Sequence, residues 1–194
     1  MDQIYQSAKV FEKLFAIEYD LKLSCNKKLV EFRLDFRKED FFHLVGLQYL
    51  EDLDISKNPS NVFDNILNKN ITDESLSNSN FYLFVDENYV VVKERISGFQ
   101  FIEDCLDSKS IVFKYIKNKN AYSRIRAEFM IEVIVNSITY YVFFIKRNTD
   151  NNYRLCSFFE KKSEYKGNKA YWLYKEKIDT NAKTANVLYN RLKF

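Results

Sequence analysis

The residue with the clearest capacity for chemistry is His43, the only histidine among 194 residues. Its imidazole is the side chain that most readily gains and loses a proton near neutral pH. It lies within residues 36–53, where apolar residues recur at the spacing of a helix. Two interpretations remain open for His43: a catalytic group held in position by the helix, or a histidine buried in the core.

Gly46 follows three residues after His43. A glycine inside a helix costs about 1 kcal/mol relative to alanine, so its presence needs a structural reason. We therefore expect a strand or loop from the basic C-terminal half to cross the predicted helix closely at this position. Such a crossing would bring polar groups near the imidazole.

Cationic side chains concentrate in the C-terminal part of the chain. Residues 111–194 contain 17 Lys and Arg against 7 Asp and Glu, whereas residues 1–110 contain 13 against 20. This asymmetry indicates either a polyanionic partner or an acidic helical layer packed on a basic sheet. The candidate phosphate-binding residues are Lys114, Arg124, Arg126 and Arg154, and a solvated strand face is the alternative.

Several kinds of catalytic site are missing from the sequence. It contains no glycine-rich phosphate loop and no nucleophile-elbow motif. The cysteines Cys25, Cys105 and Cys156 are far apart, so no zinc site is indicated, and a Cys–His pair would depend on folding. The remaining inventory favours metal-independent RNA cleavage without a cofactor. There the substrate 2′-OH is the nucleophile, and the protein supplies proton transfer and cations.

The elements that must position these residues fall into two halves. Residues 1–110 are predicted to be mainly helical, with helices over 2–19, 36–53, a short segment from Pro59, 73–76 and 87–107, and one hairpin over 21–36. From residue 111 the period changes to that of strands, over 111–116, 123–135, 138–147, 153–160 and 171–178. If Asn136-Ser137 is a two-residue turn, Phe129 pairs with Phe144 and Val135 with Ile138.

Helices followed by an antiparallel meander predict one α+β domain over residues 1–194, with N-terminal helices and a short hairpin packed on a C-terminal antiparallel sheet. Three scattered cysteines indicate reduced thiols. The N-terminus lacks an apolar signal core, and no window approaches 18 apolar residues. These features predict a cytoplasmic protein with no membrane partner.

The run Phe41-Phe42-His43-Leu44-Val45-Gly46-Leu47 carries a resemblance to a known family, together with the hairpin before it, Arg95-Ile96…Phe99 and Ser157-Phe158-Phe159. It resembles the phage-associated Barnase–EndoU–colicin–RelE-like predicted nucleases of Firmicutes and their mobile elements. The resemblance implies a barnase/RelE-like fold and a ribonuclease or toxin activity. It implies that His43 matches the family histidine, and that Arg95, Arg124 and Ser157 match polar positions.

Two hypotheses from different classes follow. In the first, the protein is an endoribonuclease of the toxin or effector type. His43 acts as general base or acid, Arg95 and Arg124 as cations, and Ser157 as a positioning hydroxyl. In the second, it is a catalytically silent accessory protein of a phage or mobile element. In the first hypothesis the partners are RNA and an antitoxin or host protein. In the second, the partner is RNA or a host protein. Three aromatic residues are candidates for base stacking, with core packing as the alternative: Tyr122, Tyr153 and Trp172.

Overall fold

The computed structural model describes residues 2–83 and 91–192. The helices are α1 (Gln3–Lys13), α2 (Lys38–Leu44), α3 (Pro59–Leu67), α4 (Asp73–Ser77), α5 (Val92–Gly98) and α6 (Ile102–Asp107). The strands are β1 (Ile17–Cys25), β2 (Lys28–Leu34), β3 (Ile111–Tyr115), β4 (Phe129–Val135), β5 (Ile138–Lys146), β6 (Tyr153–Glu160), β7 (Gly167–Asp179) and β8 (Thr184–Asn190). The predicted helix over 87–107 corresponds to α5 and α6, joined by a 3-10 turn, and its first part, 87–90, lies outside the described residues.

Three helices begin where the sequence carries a capping residue. Asp2 accepts a backbone N–H at the start of α1, and Thr72 does the same for α4. Asn58 caps α3, whose first residue is Pro59. These side chains satisfy backbone donors that have no partner within the helix, which is why they mark helix starts in sequence. Among the described residues, no helix is long and apolar enough to cross a membrane.

The described strands form one sheet in the order β1-β2-β6-β5-β4-β3-β7-β8, and β1 also pairs with β7. Since β1 pairs with β2 on one side and β7 on the other, seven strands close into a barrel, to which β8 adds beyond β7. The neighbouring strands β2 and β6 run parallel, paired at Leu34 and Tyr153. The other pairs are antiparallel, so the barrel is mixed.

The predicted fold class, an α+β arrangement of N-terminal helices on a C-terminal antiparallel sheet of the barnase/RelE-like type, is therefore wrong. The hairpin β1–β2 is part of the sheet itself, because its strands pair with β7 and β6 of the other half. The physical reason lies in backbone hydrogen bonding. Both edges of a strand carry N–H and C=O groups, and closure of the barrel satisfies edges that would otherwise stay unpaired. The prediction also missed β8 and the first residues of β7.

The predicted hairpin between β4 and β5 is confirmed in its register. Phe129 pairs with Phe144 and Val135 with Ile138. The turn residues Asn136 and Ser137 have positive φ angles of 49° and 66°, as a two-residue turn of the primed type requires.

The strand predicted over 123–135 begins six residues too early. The hydroxyl of Ser123 accepts the backbone N–H of Ile125, and Ser123 itself donates its N–H to the carbonyl of Asn120. A local turn of this kind competes with the strand ladder. Arg124 and Arg126 are therefore exposed residues of an irregular segment that precedes β4.

Both faces of the sheet are packed. Phe129 and Ile131 belong to the main core, which the helices share, whereas Met130, Tyr141 and Phe143 belong to a second apolar cluster. The alternation between clusters follows the two-residue period of a strand. Met130, Tyr141 and Phe143 are fully buried, although they do not belong to the cluster that the helices share. Helices α2 and α5 both contact β6, and this strand carries the candidate site.

Candidate functional site around His43

His43 lies in the last turn of α2, half-buried against β6. Burial and the positive charge of Arg154 lower the pKa of His43 below its ordinary value of 6.5, and they outweigh the opposite influence of Asp40 and Gln48. At neutral pH the imidazole is therefore uncharged. In this form it can accept a proton from a substrate hydroxyl.

Asp40 attaches α2 to the sheet. Its buried carboxylate accepts hydrogen bonds from Arg147 at 3.1 and 2.5 Å, and from Arg154 Nη1 at 3.4 Å. Arg147 is itself 7% exposed and donates through Nε to Asp35 at 2.5 Å. Because Asp40 lies one helical turn before His43 and also holds Arg154, this buried network sets the position of the imidazole relative to the guanidinium.

Gly46 ends the helix that carries His43. The sequence predicted one helix over 36–53, but α2 stops at Leu44, and Gly46 has a φ of +83° in the left-handed region. Glycine adopts this conformation without the steric penalty that side chains impose. The reversal starts a 3-10 helix, Leu47–Tyr49, that brings Gln48 beside His43. The prediction of a continuous helix is wrong, and the reason for Gly46 is conformational.

The expected crossing by a strand or loop of the basic half is not what packs against Gly46, because a side chain from another helix lies there instead. A Cβ at Gly46 would lie 3.1 Å from Cδ of Arg95, which belongs to α5 rather than to the basic half. Arg95 is 4% exposed and donates from Nη1 to Oγ of Ser157 at 3.3 Å. Its guanidinium carbon lies 4.8 Å from the ring centroid of Phe159 and 5.5 Å from that of Tyr49. Arg95 is therefore a buried cation in contact with Ser157.

Cys156 lies on β6 between Arg154, which is close to His43, and Ser157, which contacts Arg95. Its thiol donates to the backbone carbonyl of Arg126 at 3.4 Å, and burial raises its pKa to about 12. A thiol in this state stays protonated at neutral pH and is a poor nucleophile. The protonated thiol disfavours Cys156 as the nucleophile of a Cys–His pair. The hydrogen bond from Cys156 places the segment of Arg126 alongside the site.

The structure thus brings together His43 with Arg154, and Arg95 with Ser157, all on or against β6. Lys114 lies elsewhere, paired with Glu128 at 3.3 Å and stacked 4.5 Å from the ring of Phe129. The side chains of Arg124 and Arg126 are exposed. The residues that sequence reasoning missed are Asp40, Gln48, Tyr49 and Arg147. Only the acidic first turn of α2 hinted at Asp40, and no local pattern indicated its arginine partners.

Among the described residues, no group of three or more His, Cys, Asp and Glu side chains is placed to hold a metal ion. The candidate site therefore consists of one proton-accepting imidazole and guanidinium groups along a strand. This combination can serve phosphodiester chemistry, in which a proton moves and negative charge develops on phosphate oxygens.

Comparison with known families agrees with this class of site. The family model of the phage-Barnase-EndoU-ColicinE5/D-RelE like nuclease 4 (PBECR4) matches residues 3–192. The chain therefore belongs to this family of predicted nucleases, and the resemblance inferred from the sequence is confirmed. No curated protein and no solved structure matches the chain.

Replacing Gly46 by alanine should lower the free energy of unfolding by about 1–3 kcal/mol, measured by urea denaturation. Alanine is strained at a φ of +83°, and its Cβ would press against Arg95. Gly46→Asn is the matched variant, since asparagine tolerates the left-handed region better than alanine. It introduces the same Cβ and should destabilise less. A Gly46→Ala protein as stable as the wild type would contradict the conformational role.

Proposed function

We propose that this protein is a metal-independent endoribonuclease of the toxin or effector type. The observation that carries the proposal is the half-buried imidazole of His43 beside the guanidinium of Arg154. Membership of a predicted nuclease family supports it. RNA is the proposed substrate, and an antitoxin or a host protein is the further partner that such a role would require.

In the proposed reaction, a ring nitrogen of His43 accepts the proton of a substrate 2′-OH. The 2′-oxygen attacks the adjacent phosphorus and the bond from phosphorus to the 5′-oxygen breaks, leaving a 2′,3′-cyclic phosphate. Water protonates the departing 5′-oxygen. General-base catalysis of this kind contributes on the order of 10²–10⁴-fold to a rate. Guanidinium groups stabilise the charge on the phosphorane oxygens.

The exposed fraction of the side chain decides whether Arg154 or Arg95 can contact the phosphate. The side chain of Arg154 is 31% exposed, so it can reach a phosphate, whereas Arg95 is 4% exposed. We therefore assign the transition-state cation to Arg154. Arg95 is a positioning residue that holds Ser157 and the turn at Gly46. The exposed Arg124 and Arg126 are proposed to contact phosphates further along the RNA.

The direct test uses a DNA oligonucleotide that contains a single ribonucleotide, incubated with the protein in EDTA. We expect one cut, on the 3′ side of the ribose, and a 2′,3′-cyclic phosphate end identified by mass spectrometry. An all-DNA oligonucleotide is the control and should stay intact. Cleavage that EDTA abolishes, or a cut without a cyclic phosphate, would contradict the mechanism. Intact substrate with retained binding would instead favour a silent RNA-binding accessory protein.

A further inference from the structure

A second cationic region lies away from His43, where β3, β7 and β8 meet. It is a cleft of about 250 Å³ that shares no residue with the site described above. Its functional groups are three cations and three aromatic rings: Lys109, Lys169, Arg191, Tyr171, Trp172 and Tyr189. The cleft is smaller than the usual small-ligand pocket of about 300–1,000 Å³, so it has room for no more than about one nucleotide unit.

The charged side chains that line the cleft are all cationic. Lys109, Lys169 and Arg191 are all exposed, and none of the described residues that line the cleft is acidic. Within the described part of the chain, none of the three cations forms an ion pair, although ion pairs are frequent elsewhere on the protein. Such an uncompensated cluster attracts an anionic partner.

Two aromatic residues of the cleft differ in exposure and in how firmly they are held. The ring of Tyr171 is 52% exposed, and the ammonium of Lys169 lies 5.7 Å from its centroid. Trp172 is held in place, because its Nε1 donates to the carbonyl and the hydroxyl of Ser110 at 3.1 and 3.2 Å. The buried ammonium of Lys175 lies 4.6 Å from the indole. Tyr171 therefore offers an exposed ring beside a cation, and the neighbouring Trp172 is fixed by its hydrogen bonds.

We propose that this cleft binds single-stranded RNA, with phosphates at Lys109, Lys169 and Arg191 and one base stacked on Tyr171. Exposed aromatic rings next to cations are the usual platform for unpaired bases, which can leave their own stack. The role of the cleft as a second contact for the substrate chain rests on the proposed function. The binding itself does not depend on cleavage.

Trp172 is the only tryptophan of the chain, so intrinsic fluorescence reports on this cleft directly. The probe is a 2′-O-methyl oligouridine, which has no free 2′-OH and cannot be cleaved by the proposed reaction. We expect it to quench the fluorescence of Trp172. The double variant Lys169→Gln/Arg191→Gln should weaken binding at least about 10-fold, and its log–log salt slope should be shallower by about 1.4, or about 0.7 per lost phosphate contact.

Two further variants separate the cleft from general attraction to charge. Tyr171→Leu should weaken binding on the order of 10-fold with an unchanged salt slope, because it removes stacking alone. Lys13→Gln/Lys57→Gln changes the net charge equally at exposed lysines outside the cleft and should bind like the wild type. Equal weakening by the two double variants would overturn the proposal. So would a polyglutamate peptide that quenches as well as the oligouridine.

The proposal and the proposed function can fail separately. A His43→Ala protein should bind the oligouridine like the wild type, since His43 does not line the cleft. Quenching by a protein that cleaves no RNA would support the cleft and contradict the nuclease. If the wild type cleaves RNA but the Lys169→Gln/Arg191→Gln variant binds the oligouridine as tightly as the wild type, only the proposal for the cleft is contradicted.

Discussion

Replacing His43 by alanine should lower the rate of RNA cleavage by about 10²–10⁴-fold, the usual contribution of a general base. The fold should persist, because His43 is half-buried and is not part of either apolar core cluster. Cleavage of the single-ribonucleotide substrate measures the rate, and urea denaturation checks stability. A variant that cleaves at the wild-type rate would show that the imidazole transfers no proton.

The pH dependence of kcat/KM tests whether His43 acts as a general base. A general base must be uncharged, so the rate should rise with pH and level off once His43 has lost its proton. Since burial and Arg154 lower the pKa of His43, the midpoint should lie below pH 6.5. Arg154→Gln removes the lowering charge and should move the midpoint upward. Lys146→Gln, at an exposed position on β5, is the matched control and should leave it unchanged. A midpoint that ignores Arg154 would contradict the assignment.

Replacing Arg147 by methionine should lower the free energy of unfolding by about 3–5 kcal/mol, because it leaves a buried carboxylate without its main partner. The side chains of Arg147 and Asp40 are 5% and 2% exposed, so water cannot replace the lost hydrogen bonds. Urea denaturation measures the loss. Asp40 lies next to the imidazole, so the pH midpoint of cleavage should change as well.

The control for Arg147 is the same substitution at an exposed ion pair. Arg33 pairs with Asp20 at 2.8 Å, and its side chain is 45% exposed. Arg33→Met should change the free energy of unfolding by about 0–1 kcal/mol, since solvent screens such pairs. Adding Asp40→Asn to Arg147→Met removes the uncompensated charge and should restore part of the loss. Equal effects at Arg147 and Arg33 would show that the buried network contributes little.

Local signals in the sequence were sufficient for individual elements. The turn at Asn136-Ser137, together with alternating side chains, predicted the register of β4 and β5 correctly. A one-residue slip would turn every buried side chain to the other face, so such a pattern is strongly determined. The helices predicted from Pro59 and over 73–76 likewise begin where α3 and α4 do. Each of these features depends on residues that are neighbours in the chain.

Predictions that required knowledge of distant partners failed. The spacing of apolar residues over 36–53 fits one helix, but the chain reverses at Gly46, where Arg95 packs against it. Arg95 was expected to act as a cation of the site, yet its side chain is buried against Ser157 and Phe159. In each case a tertiary contact overrode a pattern that was locally consistent.

By itself, the sequence determined the family, the single histidine that could act in catalysis, and the strands whose pairing follows from a short turn. The tertiary structure alone decided that β1 meets β7 and closes the barrel, and that Arg154 and Asp40 flank His43. Strand edges are chemically alike, so the choice of partner depends on the packing of the whole sheet rather than on any local pattern. The pKa of His43 likewise depends on burial and on the charge of Arg154 on β6. Both effects exist only once the chain has folded.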